Sequence, residues 1–311
     1  MSVGRRSRGG WFLGPDGRPW PVMRVGLYLI AYALANLVLT APILILAGSI
    51  APAAAGTLAS NLLTPLGLIV VAASTVATVL ATWAFCRWID RRSWLDLGAR
   101  RDGDWLRDLL GGMAVGAGLM TLVLLAEIVL GGYRVGAVTI AGRTVASLLM
   151  GLVLYALVAF GEELLARGYV LRTLAEQWGP RGSIVASSLV LALLHAGNPG
   201  SDVLAQVGVF AAGLMLGVAY VRTGRLWLPT GVHWTWNLFQ GPVYGFAVSG
   251  TEAAGLLALA PVGPHFLTGG DFGPEASIIG ILACVLGAVV LARWPVSPES
   301  RVAHQGAPPD P

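Results

Sequence analysis

The sequence predicts an all-α polytopic membrane protein: a bundle of about eight transmembrane helices with both termini on the cytoplasmic side. Three observations carry that prediction. Of 311 residues, 56% are hydrophobic and only 12% charged, with a mean hydropathy of +0.73, against roughly 25% charged residues in soluble domains. Apolar runs of about 20 residues, the length that crosses a bilayer, recur along the chain. All 20 positive residues are arginines, and they cluster between those runs. A water-soluble domain, a disordered chain, collagen and a coiled coil are excluded by the apolar content. The net charge of +4 does not point to nucleic acid, because arginines placed between apolar runs act as topology signals.

Residues 1–24 read as a basic cytoplasmic segment carrying Arg5, Arg6 and Arg8. The first apolar run, Val25–Ile50, is too long for a signal-peptide core and lacks a clear small-residue cleavage site, so it reads as a retained anchor. Leu62–Cys86 and Leu106–Leu130 follow. A fourth run starts near Thr144, is apolar to Phe160 and then meets Glu162 and Glu163. The fifth, Ile184–His195, is the shortest and ends at Ala196-Gly-Asn-Pro-Gly. Val203–Val221, Leu226–Val248 and Ser277–Trp294 complete a transmembrane domain over 25–294. Residues 295–311 read as a disordered cytoplasmic tail.

The arginines test the count. With eight spans and the N-terminus inside, eighteen arginines fall on the cytoplasmic side and only Arg134 and Arg143 outside. Such a bias is the positive-inside signature. Gly112-x-x-x-Gly116 and Gly213-x-x-x-Gly217 suit close helix packing. Cys86 and Cys284 read as buried thiols; no Cys/His zinc spacing exists.

Ionisable groups inside membrane helices cost several kcal/mol and so mark candidate function. The first set is Glu162-Glu163-Leu-Leu-Ala-Arg167. Neighbouring helical residues point about 100° apart. Glu163 can therefore pair with Arg167 one turn on, leaving Glu162 to face a cavity. The second is His195. The third is His233-Trp-Thr-Trp-Asn237, whose outer members share a helix face. At 1.5 Å rise per residue, His233 lies roughly 10 Å inward from Arg225 and His195 roughly 18 Å inward from Ser183. All three elements reach the cytoplasmic half of the membrane. A desolvated carboxylate can act as general base toward water, one His can hold that water, and a second His with an Asn can donate to an oxyanion. The alternative makes His195 and His233 ligands of a divalent metal such as zinc, with Glu162 activating the metal-bound water; the H-E-x-x-H zinc helix is absent.

At these residues the chain resembles the CAAX-processing and bacteriocin-processing (Abi) family of intramembrane endopeptidases. The family's E-E-x-x-x-R appears in full as Glu162-Glu163-Leu-Leu-Ala-Arg167. Its F-x-x-x-H appears as Leu191-Ala-Leu-Leu-His195, with Leu in place of Phe, and its H-x-x-x-N as His233-Trp-Thr-Trp-Asn237. Phe210-x-x-Gly213-x-x-x-Gly217-x-x-Tyr220, with Thr223-Gly224, resembles the family's intervening helix. The likeness spans about 144–248. It implies an intramembrane peptidase in which Glu162 is the base and His195 positions water. His233 and Asn237 would stabilise the oxyanion, with Glu163 and Arg167 in support. Eukaryotic relatives act on prenylated CAAX proteins, whereas bacterial relatives include proteins of bacteriocin maturation or self-immunity, so the prenyl substrate is not carried over.

The leading expectation is therefore an enzyme hydrolysing a peptide bond of a membrane-associated or lipidated substrate in a bacterial plasma membrane, with the bilayer as its other partner and no nucleic acid. A non-catalytic scaffold or self-immunity protein of the same family is the alternative, and an ion-coupled transporter a third, disfavoured because matched broken helices are not evident. Glu127 reads as interfacial, Asp108 as a partner of Arg107 or water, and His265 and His304 as loop and tail residues. Most of the eleven tryptophans sit near predicted interfaces, as aromatic-belt anchors do. Substrate, cleavage site and oligomeric state are not written in the sequence.

Overall fold

The computed structural model describes residues 12–14 and 16–296. The arginines 5, 6 and 8 and nearly all of the tail read as disordered, 297–311, lie outside the described residues. Among the described residues, ten α-helices and two short strands follow in order: α1 (Pro21–Ile50), α2 (Pro52–Thr57), α3 (Pro65–Ala84), α4 (Trp105–Val129), β1 (Tyr133–Val138), α5 (Gly142–Glu163), α6 (Arg172–Leu194), α7 (Val203–Thr223), α8 (Trp227–Leu238), β2 (Leu257–Pro261), α9 (His265–Thr268) and α10 (Ile278–Ala292). The protein is an all-α polytopic membrane protein. By length and composition, five stretches among the described residues can cross a bilayer: Pro21–Ile50, Pro65–Asp90, Trp105–Val129, Gly142–Leu194 and Val203–Thr223, with Ile278–Ala292 a shorter apolar helix. Each of the eight apolar runs is helical over most of its length.

Local chemistry sets the helix ends. Pro21 and Pro65 occupy first-turn positions, where their missing N–H costs nothing. Thr64, Asp202 and Ser277 cap α3, α7 and α10, their side chains accepting from the N–H of Gly67, Ala205 and Gly280. The 53-residue helical stretch from Gly142 folds back at Gly179 (φ 65°), ahead of Pro180. A left-handed glycine followed by proline stops one helix and starts the next. Large apolar side chains on the outside, among them Leu34, Val38, Ile45, Ile69, Val153, Leu193 and Leu282, remain exposed as lipid-facing groups.

The glycine pairs explain the packing of α8. A Cβ on Gly112 or Gly116 would collide with the Leu228 and Val232 carbonyls, and one on Gly231 with the Leu109 carbonyl. Glycines on both helices thus let α4 and α8 approach at backbone distance. Gly213 and Gly217 do the same for α7 against Ser188 and Ile184 of α6. On the other side, Tyr28 of α1 stacks on Tyr169 at 4.0 Å, and buried Arg24 pairs with Asp90 and Glu176.

Two features were not anticipated. β1 and β2 pair antiparallel, with Tyr133 opposite Pro261 and Val135 opposite Leu259. Glu127 is fully buried rather than interfacial, because the chain turns back over it at Gly131 and Gly132.

Candidate active site

Glu162 and Glu163 end α5, and the next eight residues, Leu164–Leu171, continue as a fully buried π-helix. π-helical turns are rare and concentrate at functional sites. Within this segment Arg167 donates from Nη1 to Oε1 of Glu163 at 3.1 Å, with both side chains wholly buried. Its Nη2 donates to the Gly213 carbonyl at 2.9 Å, where α7 lies close because Gly213 has no side chain. Two of the pair's buried atoms, Arg167 Nε and Glu163 Oε2, have no hydrogen-bond partner among the described residues.

His195 caps the C-terminus of α6. Its Nδ1–H donates to the Leu191 carbonyl at 3.0 Å, so Nε2 turns toward Glu162, 3.9 Å from Oε2. The backbone of residue 191, not its side chain, thus orients the ring, and the Leu in place of Phe leaves that bond intact.

On α8, the Nδ1–H of His233 donates to Oε1 of Glu163 at 3.0 Å. The same carboxylate oxygen therefore holds Arg167 and His233. The other ring nitrogen, Nε2, lies 4.0 Å from Oε2 of Glu162. Asn237, one turn further, is buried and lines the same cavity. Its placement follows from the helical i, i+4 rule. The six residues singled out by sequence are brought together, and Glu162 and Glu163 take separate positions: one lining the cavity, the other bound by Arg167 and His233.

Oε2 of Glu162 has no hydrogen-bond partner among the described residues. Glu162 lines a cavity of about 320 Å³ bounded by α1, α3, α5, α6 and α8. Tyr32, Ser74 and Thr78 supply polar atoms to an otherwise apolar wall. Two further polar residues reach the site from outside every motif. Ser249, at φ 47°, gives its N–H and Oγ–H to Oε2 of Glu275 at 2.9 and 2.7 Å, and its carbonyl accepts from Asn198 at 3.0 Å. Ser249 and Glu275 line a small adjoining space with Glu162, His195, His233 and Asn237. A left-handed serine near functional groups is strained backbone held by its neighbours. No signal in the sequence points to either residue.

The 3.9 and 4.0 Å separations bear on what the centre can hold. Ligands of a tetrahedral zinc ion at 2.0–2.1 Å lie about 3.4 Å apart, closer than these atoms stand. A water at normal hydrogen-bond distance from Glu162 and either imidazole fits the spacing without movement. As placed, Glu162 stands too far from either imidazole to share one tetrahedral zinc ion with it, whereas a bridging water fits the gap. Among the described residues no group of three His, Cys, Asp or Glu is spaced to hold a metal ion.

The remaining ionisable candidates have structural partners. Asp108 is buried and accepts from Arg225 at 3.1 Å and from Trp294 Nε1 at 3.0 Å. His265 lies 3.4 Å from Asp202 at the surface. His304 falls outside the described residues.

Residues 144–239 match the family model for type II CAAX prenyl endopeptidase Rce1-like proteins, a family of proteases. The match covers the E-E-x-x-x-R, L-x-x-x-H and H-x-x-x-N elements, and the resemblance read from those motifs is thereby shown for this segment. No curated protein and no solved structure matches the chain.

Proposed function

We propose that this Rce1-like segment forms the catalytic core of an intramembrane endopeptidase that hydrolyses a peptide bond with water activated by Glu162. The observation that carries this reading is the position of Glu162 Oε2: unpartnered, on a residue that lines the cavity, and 3.9–4.0 Å from the Nε2 atoms of two imidazoles that other bonds hold in place. With Nδ1–H committed to the Leu191 carbonyl, His195 accepts one water hydrogen at Nε2. Glu162 removes the other as the oxygen attacks the scissile carbonyl. A carboxylate shielded from bulk water is suited to that step.

The oxyanion needs donors. His233, bound through Nδ1–H to Glu163, offers Nε2–H when both ring nitrogens are protonated, and the Glu163 carboxylate balances that charge. Asn237 supplies an amide N–H from the same helix face. Such preorganised donors contribute roughly 3–4 kcal/mol each. The proton held by Glu162 then passes to the departing amine, which restores the carboxylate.

The substrate is a membrane-associated or lipidated protein or peptide, since the cavity lies among membrane-spanning helices. The eighteen-to-two arginine bias supports a bacterial plasma-membrane protein with both termini on the cytoplasmic side. The test compares membrane peptides from cells lacking the protein, resupplied with wild type or Glu162→Gln. Fragments that appear only with wild type support the proposal. Identical peptide sets at equal expression turn it toward the scaffold or self-immunity role.

A further inference from the structure

A second cavity, of about 730 Å³, lies along α8 beside the first, next to the loop 94–102. Leu109 of α4, Ala156 and Phe160 of α5, and Trp227, Thr230 and Trp234 of α8 form its walls, and the loop 94–102 closes its cytoplasmic end. His233, Asn237 and Glu162 do not line it, and the two cavities share no lining residue. We propose that this groove is a binding site for one membrane glycerophospholipid, recognised through its phosphate.

The polar atoms lining the groove are arranged by depth. At the mouth, the Arg101 guanidinium lies over the rings of Trp105 and Trp227, 5.8 and 5.6 Å from their centroids. It makes no ion pair among the described residues, whereas Arg100 pairs with Asp96 at 2.6 Å and Arg107 with Asp104 at 3.0 Å. An arginine stacked on aromatic faces keeps its N–H edge free for a phosphate. Asp102, beside it, is exposed and does not engage the guanidinium.

Deeper in, Thr230 Oγ1 and Trp234 Nε1 are buried with no hydrogen-bond partner among the described residues, and Thr230 is only 4% exposed. Membrane threonines usually bond back to the carbonyl four residues earlier. Thr75, Thr121, Thr223 and Thr235 of this chain do so, at 2.7–3.2 Å. Thr230 does not; its hydroxyl lines the groove. From Trp227 to Trp234 is seven residues, about 10 Å along the helix. Charge at the interface, two donors within that depth and an apolar wall beside them match a phosphate, its ester carbonyls and an acyl chain. Tryptophan and arginine at this depth are also the usual anchors of the membrane interface. A bound lipid would brace the helix that carries His233.

The test is native mass spectrometry of the full-length protein, delipidated and then exposed to phosphatidylglycerol, to diacylglycerol with the same acyl chains, or to inorganic phosphate alone. Wild type should retain one phosphatidylglycerol per chain, with little diacylglycerol and no stable phosphate adduct. Arg101→Gln should retain about tenfold less, the worth of a charge-assisted hydrogen bond. Trp234→Phe should lose part of the retention without unfolding. Arg87→Gln, an exposed arginine away from the groove, should behave as wild type. Equal retention of diacylglycerol, a phosphate adduct without lipid, or unchanged retention in Arg101→Gln would overturn the proposal. None of these readouts depends on proteolysis.

Discussion

His233 Nδ1 lies 3.0 Å from Oε1 of Glu163, the carboxylate oxygen that also holds Arg167. The second glutamate of the pair is therefore the hub that fixes one imidazole, while the first lines the cavity. Removing that hub leaves the Arg167 guanidinium buried without its carboxylate and frees the His233 ring. Glu163→Ala is expected to lower stability by about 3–5 kcal/mol, the cost of breaking a buried ion pair from one side. Glu163→Gln, which keeps the shape and one acceptor, is expected to fold and to lose cleavage. Thermal unfolding in detergent, run alongside a cleavage assay, separates the two effects.

Asn237 is expected to act only once negative charge has formed on the substrate oxygen. Asn237→Ala should lower kcat by about 10²–10³ with little change in KM, as for loss of one oxyanion donor. Steady-state kinetics on the parent peptide of an identified fragment would show this. A change confined to KM would assign Asn237 to substrate binding instead.

Spacing of the Glu162–His195 and Glu162–His233 pairs suits water rather than a tetrahedral metal. Cleavage should therefore survive prolonged chelation by EDTA or phenanthroline at an unchanged rate. Loss of activity on chelation, restored by added zinc, would show that the three side chains close around a metal.

The approach of α4 to α8 is limited by backbone contact at Gly112, Gly116 and Gly231. Gly231→Ala has no room for its methyl against the Leu109 carbonyl. It should destabilise by about 1–3 kcal/mol, the usual cost of overpacking. Because α8 carries His233 and Asn237, activity should fall further than stability alone explains. Gly118→Ala, where a Cβ meets nothing within 4 Å, provides the control for both readouts.

Much of this was legible in the chain itself. The apolar runs are long enough that burial in lipid dictates helices. The pairing of Glu163 with Arg167, and the shared face of His233 and Asn237, follow from helical periodicity. What escaped the sequence depends on contacts distant along the chain. The bond from His233 to Glu163 joins residues 70 apart, and no local pattern encodes it. Ser249 and Glu275 sit in irregular segments whose paths are set by tertiary packing. Glu127 lies near a helix end, the position that suggests an interface, yet the glycines at 131 and 132 fold the chain over it. The π-helical turns after Glu163 also left no mark, since an extra residue per turn does not disturb an apolar run.

The central claim is that Glu162 removes a proton from water. It is tested most directly by single-turnover cleavage of an identified substrate in proteoliposomes, comparing wild type with Glu162→Gln at equal, folded amounts. General-base catalysis contributes about 10²–10⁴ in rate, so the variant should cleave at least a hundredfold more slowly while binding the substrate as wild type does. Cleavage by Glu162→Gln within about twofold of the wild-type rate, against that expected range, would contradict the account.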